Sequence, residues 1–449
     1  MADARYSSPL AEELAEEVLE RFLRYVVVDT QSDPTSTTYP STEKQLDLSR
    51  LLVEELREIG LDDVELTEPG YVFATVPGIP ESAAGAPTVG LIAHVDTSPA
   101  APGAGVDPIV HRAWAGEPIV LPGDAAQVLD PEDMPGLAEK RGHDLVTSDG
   151  TTLLGADDKA GVAIIVTAAR RLLLEDGPRA TARIAFTVDE EVGRGTDHFD
   201  LAAFGADFAY TFDGSGLGEV ETETFSAYQL VLTVTGVGVH PGTAKGRLVN
   251  ALKLLADVIA ALPRERLSPE TTEDREGFVH PERLTGTASR ATLWFIARDH
   301  DDAKLEEHVE LVRGIAAEVV GREPHASFEL VVEEQYRNMR TALDRHPEII
   351  EAAEEAIRRA GVEPVHSIIR GGTDGARLTE KGLPTPNLFT GGQHYHSVRE
   401  WASVQDMAAA AATCVELVRL WSGSVPNLSP RRSARRSRAS RGRSGASRR

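Results

Sequence analysis

Four groups of charged residues stand directly after short apolar runs in this chain. His94-Val95-Asp96 follows Val89-Gly90-Leu91-Ile92-Ala93, and Asp189-Glu190-Glu191 follows Ala182–Val188. Asp213-Gly214 follows Phe208–Phe212, and Gly391-Gly392-Gln393-His394-Tyr395-His396 follows Pro386–Phe389. In open α/β sheets ligands gather outside the carboxyl ends of the strands, so four clusters far apart in sequence could converge on one site. Any one of them could be a solvated acid or a hydrogen-bonded histidine, but a shared topological position favours a common function. Cys414 is the single cysteine among 449 residues. That excludes a disulfide framework or a cysteine-rich metal cluster, and a bound metal would have to use histidine and carboxylate.

The spacings say what each group could do. Two residues apart on extended backbone, His94 and Asp96 share a face, so the carboxylate could accept from the imidazole nitrogen that a metal leaves free. Gly155-Ala156-Asp157-Asp158-Lys159-Ala160-Gly161 puts two acids at the start of an apolar helix. One aspartate can cap the helix, and the other is left available as a ligand. Glu190 and Glu191 are adjacent, which is costly unless a cation divides their roles. Metal-assisted hydrolysis needs that division, with one carboxylate binding metal and the other taking a proton from the attacking water. The histidines at 111, 143, 198, 280, 300, 308, 325, 346 and 366 lie in polar or helical surroundings and are read as surface or structural.

These groups need a scaffold, and the hydrophobic pattern supplies one. Helical periodicity predicts helices over Leu10–Tyr25, opened by Ser8-Pro9, and over Thr42–Ile59 and 159–174. Strands are expected at Val89–Ala93, Ala182–Val188 and Phe208–Phe212. Such alternation indicates an α/β domain with a mostly parallel central sheet. From about residue 225 the texture changes: strands at 228–234, 291–296 and 327–332 and helices at 250–262 and 303–320 give a βαββαβ-like order, an inserted α+β two-layer domain. The first texture then resumes, with helices at 347–360 and 404–421. The expected division is a catalytic domain in two parts, 1–224 and 337–424, an insert at 225–336, and a tail at 425–449.

The net charge of −25 conceals an asymmetry. Residues 431–449 hold nine arginines and no acid, leaving 37 basic against 71 acidic residues before them. A body this acidic repels phosphate backbones, so no nucleic-acid partner is expected for it. The arginine-serine tail has too few apolar residues to fold and is expected to be disordered. No window approaches the run of roughly 18–20 apolar residues that spans a bilayer, and the first residues do not read as a signal peptide, so no membrane partner and a cytoplasmic location are expected.

Taken together the motifs resemble metallopeptidase family 20, the zinc-dependent aminoacyl hydrolases that include aminoacylases, and within it the tripeptide aminopeptidases. The resemblance spans residues 8–424. It rests on His94-Val95-Asp96-Thr97, Leu154–Gly161, Asp189-Glu190-Glu191-Val192-Gly193, Phe212-Asp213-Gly214, Val239–Gly246, Arg370–Ala376 and Asn387–Gly392. It implies a zinc-exopeptidase-like fold with two zinc ions per subunit. Asp157 would bridge them, His94 and Asp213 would complete one site, and Glu191 and His396 the other. Asp96 would orient His94, and Glu190 would be the general base. His396 is preferred to His394 because the family's last ligand precedes a glutamate by four residues, here Glu400. The insert resembles the family's lid, which often dimerises, so a homodimer is expected. His240 is similar to a histidine that reaches a neighbouring active site, and Arg298 and Arg370 resemble cations for the substrate carboxylate. The implied activity is removal of the N-terminal residue from short peptides, tripeptides above all. The alternatives are a dipeptidase or N-acyl-amino-acid hydrolase of the same family, or a non-catalytic peptide-binding protein.

Overall fold

The computed structural model describes residues 5–79 and 85–423, so the expected tail at 425–449 lies outside the described residues. The first helix, Pro9–Val26, starts where Ser8 accepts the Ala11 N–H and proline occupies the first turn. Its stripe of Leu14, Val18, Leu19, Phe22 and Tyr25 is buried. The stripe packs against two further helices, Ala156–Leu173 and Val404–Leu420, both rich in alanine and therefore able to lie close together.

The central sheet has eight strands in the order 65–66, 72–76, 182–187, 89–94, 208–214, 387–389, 219–224 and 365–369. The middle four are parallel and the sheet as a whole is mixed, because 72–76 and 219–224 run antiparallel to inner neighbours. Val89–His94 and Phe208–Gly214 carry almost continuous apolar runs, as strands covered on both faces must. Helix 156–173 crosses them closely at Gly161: a Cβ there would stand 1.9 Å from the Phe212 carbonyl oxygen. The strands Glu219–Thr224 and Val365–Ile369 are not apparent in the sequence reading, since acids and threonines interrupt the first and the second is a short, partly exposed edge strand. A smaller four-stranded sheet, 392–393, 401–403, 145–147 and 109–111, has strands only two or three residues long, too short to leave a periodic signal in the sequence.

Within the expected insert, a four-stranded antiparallel sheet runs in the order 278–286, 290–299, 226–235, 327–336. Helices Ala251–Ala261 and Asp302–Gly321 pack on it over a core that includes Leu230, Leu232, Leu255, Phe295 and Val312. The chain enters and leaves this unit side by side. Ala227 pairs with Tyr336, and the Asn338 N–H donates to Ser226 Oγ at 2.9 Å. Arginines cross the junction in both directions. Arg275 of the insert donates to the buried Glu223 carboxylate, while Arg370 donates to the carbonyls of Thr272, Asp274 and Glu276. No helix among the described residues is long and apolar enough to cross a membrane.

Candidate metal centre

Parallel strands bring their carboxyl ends to one edge, and the charged clusters meet there. His94 ends its strand, Asp213 lies near the end of the neighbouring one, and Glu190–Val192 forms a single tight turn just beyond Ala182–Thr187. Asp157 joins them from the entrance to helix 156–173. Its backbone there is not yet helical (φ −83°, ψ 103°). Its two carboxylate oxygens face two imidazoles: Oδ1 lies 2.9 Å from His94 Nε2, and Oδ2 lies 3.0 Å from His396 Nε2. Each imidazole has a second carboxylate, Asp213 Oδ1 at 3.5 Å from His94 and Glu191 Oε2 at 2.9 Å from His396. His94 with Asp157 and Glu191, and His94 with Asp158 and Asp213, each offer donor atoms within 4.8 Å of one another. Asp158 is committed elsewhere, however, since its oxygens accept the Gly161 N–H at 3.1 Å and the His94 N–H at 3.2 Å. It is the capping acid of the pair, and Asp157 is the one left facing the cluster.

Asp96 differs from the expectation in detail. His94 Nδ1 is 3.1 Å from the backbone carbonyl of Asp96 and 3.5 Å from its carboxylate. The carboxylate oxygens instead accept the N–H groups of Glu190 and Glu191, at 3.0 and 3.2 Å. Asp96 therefore fixes the turn that presents both glutamates, and its main chain rather than its side chain is the nearer partner of the imidazole.

The charges are out of balance. Burial lifts Glu191 to about 8, with Asp157 adding to the rise and His396 opposing it. Burial and Asp157 likewise lift Asp213 to about 6, and burial lifts Asp374, behind the site on Thr187, to about 7. Glu190 is pushed well above the carboxylate range, by burial first and by Asp213, Asp374 and Glu191 after it, against His94. Asp157 goes the other way: burial would raise it, but its bonds to His396 and His94 hold it well below the usual range. For His396 burial works against protonation, yet Asp157 and Glu191 carry it up to about 11. So many buried carboxylates around two imidazoles must share protons unless a multivalent cation replaces them. Glu191 Oε1 is buried without a hydrogen-bond partner, as a ligand atom awaiting an ion would be. The nitrogen and oxygen donors, without sulfur, fit first-row divalent ions including zinc.

Two residues of the sequence motifs turn out to be supports. Asn387 accepts the Asp213 N–H at 3.0 Å and donates to Glu221 at 2.6 Å. Asp189, at φ +63°, accepts hydrogen bonds from Ser41, Gln45 and Arg194 and so anchors the start of the glutamate turn.

The remaining expected residues lie outside the cluster. His394 is exposed and its ring is not among the groups gathered on Asp157. His240 is exposed on the insert, where its Nδ1 accepts the Gly242 N–H. Both terminal nitrogens of Arg370 are engaged with Thr272, Asp274 and Glu276, so in this conformation it braces the insert and its fork is not free for a substrate carboxylate. Arg298 donates through Nη1 to the Arg370 carbonyl at 3.3 Å, while its Nε is buried without a partner. Beside it stands Tyr336, whose hydroxyl is also buried and unpartnered and whose ring covers Gly372.

Comparison with known proteins gives concordant results. The family model for peptidase family M20/M25/M40 matches residues 142–420. Peptidase T of Geobacillus thermodenitrificans is 44% identical over 409 residues, covering 91% of this chain and 99% of that one. Peptidase T of Listeria monocytogenes is also 44% identical, with the same coverage. Among solved structures, an aminopeptidase PepT from Bacillus cereus superposes with a TM-score of 0.69 at 23% identity, over 91% of this chain and 98% of that one. A dinuclear metal-binding peptidase from Bacillus subtilis, at 15% identity, gives 0.62 over 91% of this chain and 98% of that one. At those identities the structural likenesses speak for the fold.

Proposed function

Since the chain belongs to peptidase family M20/M25/M40, we propose that it is a dizinc aminopeptidase that releases the N-terminal residue of short peptides, tripeptides foremost. The observation that carries this reading is the Asp157 carboxylate with one imidazole on each oxygen and a further carboxylate beside each imidazole. In it His94, Asp157 and Asp213 hold one ion, and His396, Asp157 and Glu191 the other. When bound, the ions supply Lewis-acid polarisation of the scissile carbonyl and acidification of water.

The chain's own residues supply the rest. Glu190, outside the ligand set and lifted by burial toward the working range of a general base, takes the proton from the attacking water and returns it to the departing amine. Asp96 keeps Glu190 and Glu191 in separate roles by holding both of their N–H groups. Arg298, with a buried N–H to spare, is the cation for the substrate carboxylate. His240 is exposed and its ring bonds only the neighbouring Gly242 N–H, which leaves it available for a role at a neighbouring subunit of a homodimer, where it would stabilise the developing oxyanion.

The test is hydrolysis of matched di-, tri- and tetrapeptides, with free and blocked N-termini, by metal-loaded and chelator-treated protein. Release of the first residue, fastest from the tripeptide and abolished by the chelator or by the blocked amine, is the expected result. Preferential cleavage of N-acylated amino acids would transfer the chain to the acylase reading.

A further inference from the structure

Glu400 is almost fully buried, at 1% exposed, and no role in the reaction falls to it directly. Its carboxylate nevertheless makes three hydrogen bonds, all to one short stretch of backbone. Oε2 accepts the N–H groups of Leu154 and Gly155, each at 2.8 Å, and Oε1 accepts that of Asp157 at 3.0 Å. This stretch takes a left-handed step at Gly155 (φ +83°), and Asp157 itself is held off helical geometry before helix 156–173 settles. Backbone N–H groups here cannot all bond within the helix, so an external acceptor decides where Asp157 points.

The other end of Glu400 is tied as firmly. Its N–H closes a turn on the Ser397 carbonyl at 3.2 Å, and Trp401, the next residue, is buried and pairs with Thr147 in the small sheet. His396 stands at the far side of that turn, at φ +60°, with 47% of its side chain exposed. It is the least enclosed member of the cluster, whereas His94 lies on a central strand and is 2% exposed.

We propose that Glu400 is a positioning residue of the metal centre: its carboxylate fixes the backbone of Asp157 and its main chain closes the loop carrying His396, so that one residue sets the distance between them. The inference rests on the two-ion reading above. Holding both pieces from outside is the task of a group behind the ligands, and losing such a group commonly lowers metal affinity 10–100-fold.

Glu400→Gln tests it. The amide is nearly isosteric, but its NH2 end must face at least one N–H donor, so one of the three bonds becomes a repulsion. Since Asp157 serves both ions, apo protein titrated with Zn2+ against a chromogenic chelator should bind both more weakly than the wild type, and the ion held with His396 about 10–100-fold more weakly. The visible absorption of the Co2+-loaded protein should change as well. Two ions bound with wild-type affinity and an unaltered cobalt spectrum would overturn the proposal. So would a lowered melting temperature of the apo variant with metal affinity unchanged, since that marks a brace for the fold alone. If the glutamine variant does not fold, Glu400→Asp, which keeps the charge on an arm too short to span three donors, is titrated in the same way and read by the same outcomes. Failure of the wild type to bind two ions would instead remove the two-ion reading itself.

Discussion

Glu190 and Glu191 are identical in chemistry and adjacent in sequence, and their surroundings separate them. Glu191 meets His396 at 2.9 Å, whereas Glu190 takes no part in that ligand geometry and lies under the influence of His94, Asp213 and Asp374. Glu190→Gln should therefore retain both ions and lose roughly 10²–10⁴-fold in kcat. Metal analysis of the purified variant checks it, and loss of an ion would exchange the two roles. The same logic divides the two histidines of the last loop: His396→Ala should bind one ion, and His394→Ala two. The ligand types were legible in the sequence because acids and histidines after apolar runs stand out against a buried strand. The supports were not. Asn387 stands in an apolar run whose sequence does not show that its amide joins Asp213 to Glu221, and the His94-Val95-Asp96 spacing points to the Asp96 side chain, although its backbone carbonyl is the nearer partner of the imidazole.

Helix 156–173 and strand 208–214 approach so closely at Gly161 that the glycine is a condition of their packing. Gly161→Ala drives a methyl into the Phe212 carbonyl, a backbone atom that cannot step aside without moving Asp213. Overpacking of this kind costs about 1–3 kcal/mol in ordinary cores. We expect at least that loss in denaturant unfolding of the metal-free variant, together with weaker binding of the ion nearer Asp213. Unchanged stability would mean that the helix can shift outward. Elements with continuous apolar runs, such as Val89–His94 and Ala182–Thr187, could be read directly from the sequence. The strand Glu219–Thr224 could not, because buried partners such as Asn387 for Glu221 satisfy side chains that in the sequence look like surface, and Val365–Ile369 could not, because it is a short, partly exposed edge strand.

Across the molecule the buried carboxylates act together. Glu191 and Glu221 are lifted to about 8, Asp374 and Glu400 to about 7 and Asp213 to about 6, in each case by burial first. Carboxylates of an unfolded chain titrate near 4, so between about pH 4.5 and 8 the metal-free fold holds more protons than the unfolded chain and loses stability as pH rises. The raised imidazoles act in the same direction above about pH 6.5, their contribution fading as pH climbs toward the value of about 11 held by His396. Asp157, held low, loses its contribution only below this window. Metal-free protein should therefore melt at a lower temperature at pH 8 than at pH 5.5, and a fixed concentration of Zn2+ should restore more at pH 8, where protons compete less for the ligands; a site at a hundredfold excess over its Kd contributes about 2.7 kcal/mol. A flat metal-free profile in calorimetry would show that the site's charges are balanced by other means. At the same scale, verified heterodimers of His240→Ala and Glu190→Gln subunits should regain activity that neither homodimer has, and failure to do so would reject donation between subunits. The paired entry and exit of the insert has a consequence for how such a protein can change. Ala227 lies opposite Tyr336, so the strands that leave the main sheet return beside their point of departure. Cutting there and joining the ends through a tight turn would leave each strand bearing a candidate ligand in its place, and a different module could be spliced in at the same seam. The part that bears the candidate metal ligands and the unit at 226–336 are thereby joined at one narrow seam, and a lineage can revise the second without disturbing the strands of the first.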